Sequence, residues 1–321
     1  MATHSYHEPV LLAQTLGQLD LTAGSIIVDG TVGGGGHAEA ILQRTRPDGL
    51  LIGLDLDPDA IREAAARLEP YGDRVRLVEA SFRRLDDIAA ELRDEEQDLE
   101  IDGILLDLGV SSHQLDVASR GFRFSPGVAS PLDMRMEGQG NRQTAAELLA
   151  TLTAKDLERV FSEYGQLPGS RRLARAIVER RATAPFETAT DLLTLIGELG
   201  IGRGRKHNPA TLVFQALRIA VNDELAALEA GLQAAIRVLR PGGRLAVIAY
   251  HSLEDRLVKH TFRDAARGCI CPPDFPVCTC GKKPSLEILT RKPIAPSADE
   301  VLRNPRARSA RLRAGRRLEA A

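Results

Sequence analysis

Short apolar runs alternate with amphipathic stretches through the first third of the chain. The apolar runs have the length of buried strands and lie at residues 25–29, 50–55, 74–79 and 102–107. Helical periods separate them, for example at 38–44 and 58–68. Strands that are apolar on both sides and joined by helices form parallel sheets covered on both faces. The sequence therefore predicts an α/β fold.

A break in this alternation divides the chain. Residues 121–141 are rich in Gly, Pro, Ser and Met, which is typical of a loop, and residues 144–200 have helical periods. A long helical stretch then precedes another apolar run at 244–250. We expect an α/β domain made of residues 1–120 and 219–321, with a mostly helical insertion at 121–218. The Arg-rich tail at 303–317 is expected to be poorly ordered.

Composition excludes several classes of protein. Hydrophobic residues make up 43% and charged residues 27% of the chain, as in soluble globular proteins, and the formal net charge of −2 gives no global field that attracts nucleic acid. No apolar run approaches the roughly 20 residues of a spanning helix, and the start lacks the regions of a signal peptide. All four cysteines lie at 269–280, which argues against a disulfide framework. We expect a cytoplasmic protein without a membrane partner.

A glycine-rich turn, VDGTVGGGGH at 28–37, follows the first predicted strand and opens a helix. It lacks the Gly-Lys-Ser/Thr of a phosphate-binding P-loop and a clean G-x-G-x-x-G. Polar or aromatic residues follow the next strands at Asp55, Phe82 and Asp107. Open α/β sheets bind ligands at the carboxyl ends of their strands, and an acid after the second strand suits ribose hydroxyls. These residues predict a nucleotide-like ligand at that edge.

This order of signals resembles the class I S-adenosylmethionine-dependent methyltransferases. Within that class, a set of long motifs resembles one family, the ribosomal small-subunit RNA cytosine-N4 methyltransferases, also called MraW. The resemblance runs from about His7 to about Arg313. The motifs are HEPVLL at 7–12, DGTVGGGGH at 29–37, DLGVSS at 107–112, GFRFS at 121–125, PLDMRM at 131–136, NPATLVFQALR at 208–218 and HSLEDR at 251–256.

The resemblance implies a Rossmann-like class I methyltransferase sheet with an inserted, mostly helical substrate-recognition domain. It implies S-adenosyl-L-methionine as the cofactor, with Asp55 on the ribose hydroxyls and with Phe82 and Asp107 beside the adenine. Family members often have Pro after the paired serines, where this chain has His113. The residues expected to contact the cofactor are Gly35, Gly36, His37, Asp55, Phe82, Asp107 and Gln114.

The resemblance also implies the reaction, which is methylation of the exocyclic N4 of a cytidine in the decoding region of 16S rRNA within the small ribosomal subunit. The N4 lone pair is delocalised into the ring, so hydrogen-bond acceptors must restore its nucleophilicity. The Asp/Asn/Ser-Pro-Pro-aromatic tetrapeptide of many amino methyltransferases is absent, and Asp107, Ser111 and Ser112 are the expected catalytic residues. Asp133 and the segment at 250–252 are second candidates.

A target base must leave its stack to reach the cofactor, and aromatic rings can hold it there. Phe122, Phe124 and Tyr250 are the candidates for this stacking, with ordinary core packing as the alternative. Phosphate contacts are expected from the basic insertion and from the Arg-rich tail, with a solvated basic face as the alternative. The basic residues of the insertion are Arg171, Arg172, Arg175, Arg180, Arg181, Arg203, Arg205 and Lys206.

The four cysteines form two Cys-x-Cys pairs, Cys269 with Cys271 and Cys278 with Cys280. Four thiolates suit a tetrahedral structural zinc, although the usual spacing has two residues between ligands. Four ordinary reduced thiols are the alternative.

Two other functions share part of this sequence pattern. A nicotinamide-dependent dehydrogenase has a similar glycine turn and ribose acid, but it requires the clean G-x-G-x-x-G that this chain lacks. A non-catalytic RNA-binding or assembly factor could keep the fold without transferring a methyl group.

Overall fold

The structure is a computed structural model of the chain. It describes residues 9–95, 99–111, 114, 117–122, 130–138, 140, 142–202, 208–271, 277 and 279–319. The chain divides into a first unit, Met1–Gly109 with Leu225–Ala321, and a second unit, Val110–Glu224. The sequence analysis expected an insertion at 121–218. The second unit begins before residue 121 and ends after residue 218. The sequence boundary was set by a change in composition, whereas the first unit stops soon after its fourth strand.

The first unit contains a seven-stranded sheet in the described part of the chain, with the order β3-β2-β1-β4-β5-β7-β6. Strands β1 to β5 are parallel to one another, and β7 runs antiparallel to both β5 and β6. This confirms the predicted α/β class and the Rossmann-like methyltransferase sheet. The strands are β1 (Ile26–Asp29), β2 (Leu50–Asp55), β3 (Val75–Glu79), β4 (Ile101–Asp107), β5 (Leu239–Ala249), β6 (Leu286–Ile288) and β7 (Arg311–Arg317).

Helices follow the strands in the pattern that the sequence predicts. In the first unit they are α1 (Leu12–Leu19), α2 (Gly36–Arg44), α3 (Pro58–Leu68), α4 (Leu85–Glu95), α10 (Glu224–Val238, whose first residue closes the second unit), α11 (Ser252–Ala266) and α12 (Ala298–Arg303). In the second unit they are α5 (Ala145–Thr151), α6 (Ala154–Arg159), α7 (Ser170–Arg181), α8 (Ala189–Glu198) and α9 (Pro209–Asn222). Among the described helices, none combines the length and the apolar character that crossing a membrane requires.

Both faces of the sheet are buried, which explains why the strands are apolar without alternation. Ile104 and Leu106 of β4 belong to one hydrophobic cluster, which includes Leu232 of α10. Leu105, between them in sequence, belongs to the cluster on the other face, with Ile41 of α2. Side chains alternate between the two faces of a strand, so a strand covered on both faces needs apolar residues at every position.

The Arg-rich tail is not poorly ordered, and that expectation was wrong. Arg311–Arg317 forms β7, which lies between β5 and β6, and Leu312 and Ala314 are fully buried. Arg313 is only 7% exposed, and its guanidinium donates to the two carboxylate oxygens of Asp255 at 2.7 and 3.1 Å. The partner of this buried cation lies on α11, far away in sequence, so the local density of arginines gave no indication of a strand.

The second unit has its own core, built from α5 to α9. Phe161, Leu173 and Phe214 are among the residues buried there. The capping box of Thr144 begins α5, and its last turn is closed by Arg181, which donates to the carbonyls of Leu149 and Leu152, both at 2.7 Å. Because capping satisfies backbone groups that a helix end leaves without a partner, short helices can pack stably in this unit.

The ion pair of Arg313 is expected to stabilise the first unit. Replacing Arg313 with Met leaves the carboxylate of Asp255 without its partner, so we expect the free energy of unfolding to fall by about 3 kcal/mol. Arg316 on the same strand pairs with Glu287 at the surface, and Arg316→Met should cost less than about 1 kcal/mol. Urea unfolding measures both, and equal losses would contradict this account.

Candidate active site

Three strands of the first unit end in aspartate at the same edge of the sheet. Asp29 ends β1, Asp55 ends β2 and Asp107 ends β4. Since β1 pairs in parallel with both β2 and β4, the three carboxyl ends lie side by side. The structure therefore brings together the acids that the sequence placed at this edge, where α/β sheets bind their ligands.

The glycine-rich turn joins β1 to α2 at that edge. Gly33 and Gly35 have positive φ angles of 49° and 79°, a conformation that glycine adopts without the steric cost of a side chain. Gly35 is the residue before α2, which begins with Gly36 and His37. The first backbone N–H groups of a helix have no partner within the helix and favour negatively charged groups. The turn therefore provides a close, polar backbone surface.

Asp55 holds this turn. One of its carboxylate oxygens accepts a hydrogen bond from the Gly33 N–H at 3.0 Å, and the other accepts from the Asp57 N–H at 2.9 Å. Burial raises the pKa of Asp55 above its ordinary value, while these two hydrogen bonds oppose the rise. Asp57, two residues after Asp55, is buried and accepts from the Asp59 N–H at the start of α3. Asp55 is thus the acid directed to the turn.

Asp107 lies in a polar cluster with a tyrosine and a histidine. The hydroxyl of Tyr250, just after β5, donates to Asp107 Oδ1 at 2.8 Å. Asp107 Oδ2 lies 3.6 Å from Nδ1 of His37, and Nε2 of that ring lies 3.0 Å from the Val10 carbonyl oxygen. A ring that donates from Nε2 presents Nδ1 to Asp107 as an acceptor when neutral. The sequence singled out each residue, but not the contact of Tyr250 with Asp107.

Two of the edge carboxyls have strongly raised pKa values. Burial raises the pKa of Asp107 to about 7, although the hydrogen bond from Tyr250 lowers it and the charge of Glu254 adds to the rise. Burial likewise raises the pKa of Asp29 to about 7, opposed by His37 and by the Thr31 N–H. Burial lowers the pKa of His37 below its ordinary value. The site therefore holds carboxyl groups that exchange protons near neutral pH.

Phe82 stands beside the same edge, after β3. It begins a short 3₁₀ helix whose first turn is capped by Ser81, which accepts from the Arg83 N–H at 3.2 Å. The ring packs against α10 at Gly231, where any Cβ would collide with it. Gly231 was missed in the sequence analysis, although a single glycine in a helix of Ala, Leu and Glu can indicate such a close approach.

Gln114 and Ser111 lie in the second unit and bind each other. The Ser111 N–H donates to the Gln114 side-chain oxygen at 3.0 Å, and the Gln114 N–H donates to the Ser111 hydroxyl oxygen at 3.1 Å. Gln114 is buried. Ser112 and His113 lie outside the described residues.

The second candidates for catalysis have structural contacts. Arg135 donates to the two carboxylate oxygens of Asp133, both at 2.8 Å. Burial acts to raise the pKa of Asp133, but the hydrogen bonds and charge of Arg135 outweigh it and lower the pKa. His251 accepts from the Glu254 N–H at 3.3 Å as the cap of α11. Phe122 is buried, and Phe124 lies outside the described residues.

The basic residues of α7 divide into two groups. Arg171, Arg172 and Arg175 are exposed. Arg180 pairs with Glu198 at 3.4 Å, and Arg181 closes α5 as described above, so both have structural contacts. The remaining basic residues of the set, Arg203, Arg205 and Lys206, lie outside the described residues.

Three of the four cysteines lie together. The sulfur atoms of Cys269, Cys271 and Cys280 are all within 4.8 Å of one another, and Cys278 lies outside the described residues. Hydrogen bonds from the backbone and hydroxyl of Thr279 lower the pKa of the Cys271 thiol.

Comparison with known proteins gives a family over nearly the whole length. The profile of the MraW methylase family matches residues 4–318. A protein of Syntrophus aciditrophicus named Ribosomal RNA small subunit methyltransferase H is 48% identical over 317 residues, which cover 98% of each chain. One of the same name from Symbiobacterium thermophilum is 50% identical and covers 100% of this chain and 98% of its own. A solved rRNA methylase structure from Streptococcus thermophilus aligns with 99% of this chain and 100% of its own, with a TM-score of 0.42 and 10% identity.

The raised pKa of Asp29 predicts a pH dependence of stability. Between an unfolded pKa near 4 and a folded pKa of about 7, the folded chain holds the extra proton, so stability falls as pH rises through this window. Asp29→Asn removes this titration. Between about pH 5 and pH 8, the wild type should lose stability because Asp29 gives up its proton. The Asp29→Asn variant lacks this contribution, so we expect its decrease in the free energy of unfolding to be smaller than that of the wild type by about 2 kcal/mol.

Urea unfolding at the two pH values measures this difference. Asp48→Asn, which removes an exposed carboxylate before β2, is the matched control and should follow the wild type. An Asp29→Asn protein that loses as much stability as the wild type over this range would show that Asp29 is ionised throughout it.

Proposed function

The chain belongs to the MraW methylase family, and we propose that it transfers a methyl group from S-adenosyl-L-methionine to the exocyclic N4 of a cytidine in the decoding region of 16S rRNA. Two relatives that match it over their full length are named for methylation of small-subunit ribosomal RNA, which supports an rRNA substrate. The observation that carries the proposal is the glycine turn held by Asp55 at the edge where Asp107 lies. We propose the small ribosomal subunit as the partner and the cytoplasm as the location.

The residues at this edge fit the parts of the cofactor. Each oxygen of Asp55 accepts one backbone hydrogen bond, and a carboxylate has about four acceptor positions, so it can also accept from two ribose hydroxyls. Gly36 and His37 offer backbone N–H groups that suit the cofactor carboxylate. The Gly35 N–H donates to the Val32 carbonyl at 2.8 Å, and Gly35 lets the backbone approach the cofactor closely because it has no side chain. Phe82, held on one side by α10, can stack on the adenine.

Asp107 and Gln114 have different places in this proposal. Asp107 has an oxygen on the side of His37, and we assign it to the target amino group and not to the adenine, because one carboxylate cannot reach both ends of the cofactor. Gln114 is buried in the second unit, where it binds Ser111, and its contact with the cofactor stays a prediction. These assignments give five of the seven residues expected from the sequence a role toward the same cofactor.

Alignment and proton removal are the tasks of the protein in this reaction. Bound S-adenosylmethionine supplies an electrophilic methyl group on a sulfonium, which departs as a neutral thioether. We propose that Asp107 accepts the proton that N4 loses, because a carboxylate with a pKa of about 7 suits a general base at neutral pH. Tyr250 positions this carboxyl through its hydroxyl. Ser111 and Ser112 are the alternative acceptors expected from the sequence.

The reaction is tested with radiolabelled S-adenosylmethionine and small subunits that lack the modification. Nuclease digestion and mass spectrometry then locate the label. N4-methylcytidine at one site in the decoding region supports the proposal. Label on another atom or in another region, or no label with cofactor binding intact, would overturn the assigned substrate. No label together with no cofactor binding would favour a non-catalytic assembly factor.

The assignment of Asp107 predicts a specific loss of turnover. Asp107→Asn keeps an oxygen that accepts from Tyr250 but cannot take a proton, so we expect kcat to fall by about 100-fold or more. The affinity for S-adenosylhomocysteine should change much less. Asp102→Asn, at the opposite end of β4, is the matched control and should keep its kcat. Full turnover in Asp107→Asn would exclude Asp107 as the base.

The exposed arginines of α7 predict a salt-dependent contact with RNA. Replacing Arg171, Arg172 and Arg175 together with Gln should weaken RNA binding. The plot of the logarithm of the binding constant against the logarithm of the salt concentration should become less steep by up to about 2, because each phosphate contact contributes about 0.7 on single strands. Cofactor binding should not change. The control replaces Arg44, Arg62 and Arg263, which are exposed in the first unit. Equal losses in both triple variants would contradict a localised contact.

A further inference from the structure

The segment at 267–284 lies between α11 and β6. None of its described residues is buried, and Ile270 and Val277 are 54% and 70% exposed. Its two ends meet at α11, where the Ser285 N–H donates to the Ala265 carbonyl at 2.8 Å and the Lys282 ammonium donates to the Asp264 carbonyl at 2.7 Å. Because the described residues bury little hydrophobic surface, another interaction must help to hold them together.

The described thiols of this segment converge on one point. Cys269 and Cys271 come from its beginning and Cys280 from its end, and the Cys269 and Cys280 sulfur atoms are 3.8 Å apart. Ligands about 2.3 Å from a tetrahedral zinc lie about 3.8 Å from one another. A disulfide needs about 2.05 Å between its sulfur atoms. The spacing matches two sulfurs on one metal ion.

Backbone N–H groups point at all three sulfur atoms. The Ile270 N–H donates to Cys280, the Cys271 N–H donates to Cys269 and the Thr279 N–H donates to Cys271, each at 3.4 Å. Such hydrogen bonds orient ligands and disperse the charge of metal-bound thiolates.

We propose that Cys269, Cys271 and Cys280 form a structural zinc site that holds the beginning and the end of this segment together. Thiolate ligands select zinc over magnesium and calcium, which prefer oxygen. Sulfur atoms this close share a single ion, whereas the cysteines of an iron–sulfur cubane bind separate iron atoms and lie farther apart. Each thiol releases its proton to solvent when it binds zinc. Cys278, the remaining cysteine, lies outside the described residues.

Cobalt titration tests this site directly. Co²⁺ can take the place of Zn²⁺, and its complexes with thiolates show charge-transfer absorption, whereas those of Zn²⁺ do not absorb visible light. The full chain is reduced and stripped of metal under argon, then titrated with Co²⁺ and afterwards with Zn²⁺. We expect thiolate-to-cobalt absorption that saturates at one ion per chain and that zinc abolishes. Cys271→Ser and Cys280→Ser should each weaken cobalt binding by at least about tenfold.

His260→Ala is the control, because it removes an exposed imidazole of α11 outside the thiol cluster. It should bind cobalt as the wild type does. Zinc should also slow trypsin cleavage after Arg267 and Lys282 in the wild type but not in Cys271→Ser. Absence of thiolate absorption in the reduced wild type, or unchanged cobalt affinity in both cysteine variants, would overturn the proposal.

Discussion

The hydrogen bond from Gly33 to Asp55 is the contact on which the site depends. It joins the glycine turn after β1 to the end of β2, so the shape of the turn follows from the register of two parallel strands. Without it, the Gly33 N–H would lose its acceptor and the carboxylate of Asp55 would keep only the hydrogen bond from the Asp57 N–H, and burial of a poorly paired charge is costly. The same bond leaves Asp55 with acceptor positions directed to a ligand.

The other carboxyls of this edge show the cost of placing acids inside a sheet. Asp29 and Asp107 keep pKa values of about 7 because burial outweighs the hydrogen bonds that each accepts. A protein that only needed stability would place apolar residues there. Groups that titrate near neutral pH in a ligand-binding edge are typical of sites that move protons, and Asp107 with Tyr250 is the pair that our mechanism uses.

Much of the first unit could be predicted because its information is local. Strand β2 spans the same residues as the apolar run that predicted it. The carboxyl ends of parallel strands lie at one edge of a sheet, which is why Asp55 and Asp107 could be predicted to lie at the same edge. Contacts between distant residues were not predictable in this way. The tail that we expected to be poorly ordered is strand β7, and its Arg313 pairs with Asp255, which is distant in sequence. Gly231 of α10 leaves space for the ring of Phe82, which is also distant in sequence. The resemblance to the MraW family named the residues expected to contact the cofactor, but it gave neither of these contacts.

We propose that the edge held by Asp55 binds an adenosyl cofactor. Calorimetric titration with S-adenosylhomocysteine, and separately with NAD, is the experiment that tests this binding. We expect S-adenosylhomocysteine to bind at one site per chain and NAD not to bind. In Asp55→Asn the affinity for S-adenosylhomocysteine should be weakened by at least about tenfold, because the amide cannot accept from both ribose hydroxyls and from Gly33. Binding of NAD, or unchanged affinity for S-adenosylhomocysteine in Asp55→Asn, would contradict it.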